Sequence, residues 1–249
     1  MTAPAMTILL CSHMKGPYLR EAINSVLAQT SQDLQLLVVD SGQWRGEPGE
    51  AAAAMARIWR TYRTHPLVEW TFTGEGPDLK ATKCPVGWAT NQAIRRGLVR
   101  GRYMATFYDD DRYLPQFVEV MAGYLDRFPQ VGAVWCSQLV ATLDADGVET
   151  MVAARPATEQ KFGASFDCQV DGAQVAWRTS LLDQIGDPWL PEEPSTCYHS
   201  DGIFLDKLGA VCGVVPPIPE VLVVHRFTPL SAYTPVQAIE YEGLTRIGQ

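Results

Sequence analysis

No C-x-x-C pair occurs in this chain, although it carries six cysteines, at 11, 84, 136, 168, 197 and 212. Zinc-type ligand spacing is therefore absent. No block of Lys or Arg stands out, and the net charge is −8, which argues against a nucleic-acid surface. No apolar run approaches the roughly 18 residues that a membrane span requires, so no integral membrane segment is expected. The first residues, Met1-Thr-Ala-Pro-Ala-Met6, have neither a basic region nor an apolar core of the leader type. Cys11 and Cys136 lie in apolar strand-like runs and read as buried thiols, and the chain reads as a reduced, cytoplasmic protein. There are no internal repeats, and Ser12–Pro17 holds only one glycine, too few for a Gly-rich phosphate loop.

What remains is ordinary globular material: 249 residues, 47% hydrophobic and 19% charged. Met6-Thr-Ile-Leu-Leu-Cys11 reads as a buried strand. Pro17 then opens a helix whose Leu19, Ile23, Val26 and Leu27 share one face. Gln35-Leu-Leu-Val-Val-Asp40 is a second buried strand. Strand, helix and strand of this kind predict a βαβ unit in a parallel sheet. Helices are expected over 51–63, 88–99 and 117–128, and strands over 68–72, 103–107 and 132–140. Asp144-Ala-Asp-Gly147 marks a hairpin turn. The last third is less regular: Val175-Ala-Trp177, a helix near 179–185, a Pro-rich loop at 188–194, a helix from Asp201 and a strand at 221–225. No flexible linker divides the chain.

Asp109-Asp110-Asp111 follows the strand Tyr103–Phe107 and precedes Arg112-Tyr-Leu-Pro115. Three adjacent carboxylates repel one another unless a cation or donors hold them. A hard divalent ion, Mg²⁺ or Mn²⁺, suits such oxygen ligands; a solvated acidic turn is the plain alternative. Ligands bind beyond the C-terminal ends of strands in open α/β sheets, and both Asp40 and the triplet sit at such ends. Asp40 either accepts a hydrogen bond from a nucleobase N–H or caps the turn at Ser41-Gly42. Asp201 either starts a helix as its cap or acts as a general base. His225 is either a structural histidine or a late metal ligand. Lys15, Lys80, Lys83, Arg95 and Arg96 are candidate phosphate partners. Trp177, Trp189, Tyr198 and Phe204 flank Asp201, serving either as core or as a surface for sugar rings.

These segments together resemble glycosyltransferase family 2. The likeness runs through Thr7-Ile-Leu-Leu-Cys-Ser-His-Met-Lys15, Tyr18-Leu-Arg-Glu-Ala-Ile-Asn-Ser-Val-Leu-Ala-Gln-Thr30 and Leu36-Leu-Val-Val-Asp40-Ser-Gly42. It continues through Ala89-Thr-Asn-Gln-Ala93 and Gly101 to Pro115. The aspartate segment is similar to the spore-coat polysaccharide type. The resemblance covers residues 6–130 well and 170–228 loosely. It departs from the family where Pro-Thr is replaced by Cys11-Ser12, where a second acidic residue is replaced by Ser41, and where Thr90 stands in place of Arg.

The resemblance implies an α/β chain with one GT-A (Rossmann-like) domain over 1–249. A nucleotide-sugar-binding half would span about 1–111 and an acceptor-binding half about 112–249. It implies an inverting, metal-dependent transfer from a UDP- or dTDP-type sugar donor to a hydroxyl of a small-molecule or glycan acceptor. Asp201 would be the catalytic base. Asp40, Asn91, Asp109 and Asp110 would bind the donor; Ser12 is a further donor-binding candidate, and Lys83, Arg95 or Arg96 is a candidate for the diphosphate contact that Thr90 leaves open. Asp110, Asp111 and His225 would hold Mg²⁺ or Mn²⁺, with D-x-D chemistry. No nucleic-acid partner is expected, and a homodimer stays open. The competing readings are a nucleotidyltransferase and an inactive sugar-nucleotide-binding module.

Overall fold

A computed structural model of the chain describes residues 3–13, 15–45, 48–73, 85–162, 170–186, 200–229, 231 and 245–246. Its strands are β1 (Met6–Ser12), β2 (Leu34–Asp40), β3 (Val68–Phe72), β4 (Tyr103–Tyr108), β5 (Arg112–Tyr113), β6 (Ala133–Leu143), β7 (Glu149–Arg155), β8 (Lys161–Phe162), β9 (Val175–Arg178), β10 (Val214–Val215), β11 (Pro217–Phe227) and β12 (Thr245–Arg246). Its α-helices are α1 (Gly16–Leu27), α2 (Glu50–Tyr62), α3 (Pro85–Arg95), α4 (Phe117–Arg127), α5 (Leu182–Ile185) and α6 (Ser200–Cys212).

The main sheet runs β12-β7-β6-β9-β4-β1-β2-β3, with β11 joining β5 and β6. β1 pairs in parallel with both β2 and β4, and β2 with β3. β9 enters antiparallel between β4 and β6. Chain order therefore reverses at β1: β2 and β3 lie on one side of it and β4 on the other. Such a reversal opens a crevice at the C-terminal ends of the two central strands.

Strand alternation divides the core between the two faces of the sheet. Met6, Ile8 and Leu10 of β1 pack with Leu19, Ile23 and Val26 of α1 and with residues of α2 and α4. Leu9 and Cys11 point the other way, into a cluster with Ala89 and Ala93 of α3 and Phe204, Leu205 and Leu208 of α6. Both faces of β1 and β2 are buried, which is why these strands are almost wholly apolar.

Gly101 shows how tightly the strand ends are drawn together. Its N–H donates to Thr7 Oγ1 at 2.8 Å. A Cβ at this position would overlap Thr7 N and lie 2.6 Å from Met6 C and Tyr103 O, all backbone. Gly101→Ala is therefore expected to cost more than about 2 kcal/mol, through forced backbone shifts. Urea unfolding of the variant checks this, and an unchanged midpoint would refute it.

The acidic crevice

The carboxyl ends of β1, β2 and β4 meet around this crevice. On the far side of the acidic turn, Phe107, Tyr113 and Phe117 stack in sequence, with ring centroids 4.0 and 3.7 Å apart. They belong to β4, β5 and α4, so both strands flanking Asp109–Asp111 are packed on one aromatic column. Tyr113 also donates its hydroxyl proton within reach of Thr106 O and Ala173 O, at 3.0 and 3.2 Å. The acidic turn is thus fixed from below.

Its three carboxylates have separate partners. Asp109 Oδ2 accepts the His13 N–H at 2.8 Å, and its Oδ1 lies 3.7 Å from Lys15 Nζ. Burial and the neighbouring Asp110 push Asp109 up to about 7, against the opposing pull of Lys15 and the His13 N–H. Asp110 Oδ2 accepts Lys15 Nζ at 2.5 Å and stands 3.4 Å from Ser231 Oγ. Burial alone would lower Lys15, but Asp109 and Asp110 outweigh it and raise the ammonium.

Asp111 turns inward and is fully buried. Its Oδ1 accepts the Arg226 N–H at 3.0 Å and lies 3.0 Å from His225 Nδ1. Burial pushes Asp111 up, and His225 opposes that shift. His225 keeps 23% of its side chain exposed; burial would lower it, but Asp111 and then Asp171, 3.9 Å away, raise it.

Asp110, Asp111 and His225, the metal ligands expected from the resemblance, have separate partners in this structure. Asp111 pairs with His225, while Asp110 pairs with Lys15. Among the described residues, no three His, Cys, Asp or Glu side chains form a cation cage. A buried carboxylate must find a partner, and β11 brings one to Asp111 from far along the chain.

Asp40 is also fully buried. Its Oδ1 accepts the Gly42 N–H at 2.8 Å, so it caps the turn, in which Gly42 adopts a φ of +72°. Its Oδ2 takes the indole N–H groups of Trp44 and Trp70 at 2.8 and 3.2 Å. A carboxylate offers about four acceptor positions, and three are filled from within. Burial raises Asp40, and these donors counter it. Beside it, Ser12 Oγ and Ser41 Oγ are buried without a hydrogen bond of normal geometry, although the Ser12 hydroxyl still favours the charged form of Asp109. Two unsatisfied hydroxyls at adjacent strand ends are acceptor or donor capacity left over for a ligand.

Asn91 is buried on α3, next to Thr90, whose Oγ1 lies 3.2 Å from Cys11 Sγ. Arg96 reaches Phe72 O at 2.9 Å, which ties it to β3. Asp201 lies in the first turn of α6, but its side chain falls outside the described residues. Lys80, Lys83, Trp189 and Tyr198 also fall outside them, as do 74–84, 230 and 232–234. Trp177 and Phe204 are core: both are buried, with ring centroids 5.4 Å apart.

Arg226 directly follows His225 on β11. It is 1% exposed, donates Nε–H to Asp110 O, and pairs through Nη1 with Glu21 of α1. Glu149 of β7 lies 3.9 Å away and pairs with Arg112 at 2.5 Å. An arginine next to a strand-end histidine gives no sign of this role, because its partners lie 116 and 205 positions away.

No protein-family model matches the chain. Protein CgeD of Bacillus subtilis (strain 168) is 27% identical over 232 residues, covering 91% of this chain and 51% of CgeD. TarS of S. aureus, in a structure with UDP-GlcNAc, superposes with a TM-score of 0.63 at 13% identity, over 97% of this chain and 64% of that one. The mannosyltransferase PcManGT from Pyrobaculum calidifontis, in complex with GDP-Man and Mn²⁺, gives 0.56 at 16% identity, over 90% and 57%. The chain spans about half the length of CgeD and less than two thirds of these two structures. The central parallel strands, the reversal at β1 and the flanking helices give this chain the GT-A type of α/β fold, shared with a mannosyltransferase and with a UDP-GlcNAc complex.

Proposed function

We propose that the chain transfers a sugar from a nucleoside diphosphate sugar to an acceptor hydroxyl, with inversion at the anomeric carbon. The observation that carries this is the acidic turn beside Lys15 at the reversal point of the sheet, in a fold shared with structures that hold UDP-GlcNAc and GDP-Man. In this reading the donor lies across the ends of β1, β2 and β4. Ser12 and Ser41 offer hydroxyls to its nucleoside, and Asp40 has one acceptor position left for a base N–H. Asn91 and Lys83 complete the donor contacts named from the resemblance.

A divalent ion, Mg²⁺ or Mn²⁺, fits the oxygens of Asp110 and Asp109. The fit rests on what is there: Asp110 already holds a cation, the Lys15 ammonium. Small divalent ions of this kind keep water and phosphate oxygens and take one or two carboxylates. When bound, such an ion supplies charge stabilisation for the leaving diphosphate. Asp111 and His225 brace the turn from inside.

The acceptor oxygen attacks the anomeric carbon, a new C–O bond forms there, and the bond to the diphosphate oxygen breaks. Asp201 takes the hydroxyl proton. The first turn of a helix favours an ionised carboxylate, the form that a general base requires.

Melting curves with UDP, GDP or dTDP and Mn²⁺ test donor binding. Ligand at about 100 times its dissociation constant adds roughly 2.7 kcal/mol, which for a chain of this size raises Tm by about 5–10 °C. If no nucleoside diphosphate moves Tm, the reading fails. Binding without turnover on a broad acceptor panel would instead favour an inactive binding module.

A further inference from the structure

Lys15 lies where the charge of the crevice is decided. It stands directly before α1, and its Nζ is 2.5 Å from Asp110 Oδ2 and 3.7 Å from Asp109 Oδ1. Both carboxylates are about 8% exposed, while the lysine side chain is 25% exposed and so faces the crevice mouth. Asp111 does not compete for this ammonium, because His225 and the Arg226 N–H engage its carboxylate. A divalent ion and the Lys15 ammonium would therefore contend for the same Asp110 oxygen. Lysine carries its charge on a flexible four-carbon stem, so it can leave a partner without moving the backbone.

We propose that Lys15 is the resident counter-cation of the acidic turn in the donor-free protein, and that it gives up Asp110 to a divalent ion and moves to the diphosphate of the incoming donor. The inference rests on the nucleotide-sugar reading above. Ion alone must displace the ammonium and leave it without a partner. Ion together with diphosphate restores one, because the released ammonium meets the phosphate oxygens. Ion and nucleotide binding are then mutually favourable, and each strengthens the other by the same factor. Lys15 thereby sets the order of assembly and keeps the carboxylates compensated between cycles.

The test is Mn²⁺ binding followed by electron paramagnetic resonance, without nucleotide, on wild type, Lys15→Met and Lys15→Arg. Removing the competing charge-assisted bond should tighten Mn²⁺ binding by about tenfold in Lys15→Met. Lys15→Arg, which keeps a cation, should stay near wild type. Asp110→Asn placed on Lys15→Met should abolish the gain. Lys15→Gln serves if Lys15→Met does not fold. Mn²⁺ binding no tighter in the neutral variant than in wild type overturns the exchange. In parallel, UDP- or GDP-induced shifts in Tm are read with and without Mn²⁺. Wild type should show a larger Mn²⁺-dependent gain than Lys15→Met, and equal gains would also overturn the exchange. Loss of every nucleotide shift in wild type would sink the donor reading itself, a failure distinct from the first.

Discussion

Asp201→Asn should leave nucleotide binding intact and lower turnover by about 10²–10⁴-fold, the usual contribution of a positioned general base. That loss corresponds to about 2.7–5.4 kcal/mol of transition-state stabilisation. Asparagine keeps the size and the helix-start hydrogen bonding of aspartate but cannot accept a proton. The helix that carries it is well anchored: Phe204, Leu205 and Leu208 are buried against the α3 face of the sheet, and Phe204 packs on Trp177. A side-chain change in the first turn should therefore not displace α6. The two readouts are the UDP- or GDP-induced Tm shift and the initial rate of sugar transfer. Wild-type turnover in Asp201→Asn would remove the residue from the mechanism. Loss of the Tm shift would move it to the donor site.

Arg226→Met should lower stability by about 3 kcal/mol and disturb the acidic turn in the same step. Removing one partner of a buried ion pair typically costs 3–5 kcal/mol, and the half-exposed Glu21 carboxylate places this case at the low end. The guanidinium joins three separate parts of the chain: the Asp110 carbonyl, Glu21 of α1 and, at 3.9 Å, Glu149 of β7. Methionine fills much of the stem volume but leaves the Asp110 carbonyl without its donor. The Arg226 N–H bond to Asp111 survives, since it belongs to the backbone. Arg226→Lys should fall between wild type and Arg226→Met, because an ammonium cannot reproduce the planar fork. Urea denaturation gives the stability, and a midpoint equal to wild type would show that the network carries no load. Turnover should fall along with it, since misplacing a site group by about 1 Å can cost on the order of 10²-fold in rate.

The early half of the fold was legible because it is built from local patterns. β1, β2, α1 and β4 are continuous apolar runs or one-sided helices, and each appears close to its expected bounds. The helix expected to reach residue 99 stops at Arg95, where Gly97 takes a φ of +67°. β11 extends back to Pro217, well before the apolar Val221–Val224 run. Two prolines and a glutamate hide its start, and its pairing with β6 shifts register between Ile218 and Val223. β5 and β10 have two residues each and carry no readable period.

The site divides along the same line. The sequence by itself determined that an acidic triplet would end one strand of a parallel sheet, that Asp40 would end another, and that Lys15 would lie in the loop before the first helix. These follow from where apolar runs stop. Only the tertiary structure decided how the charges are shared: Lys15 on Asp110, His225 on Asp111, and Arg226 holding the turn to α1. It also decided that Asp40 would be held by two indoles as well as by its own turn. The reason is physical. A carboxylate's position along the chain is fixed by local burial. Its partner is whichever donor long-range packing brings within about 3 Å, because at that distance a desolvated charge is compensated or becomes too costly to bury.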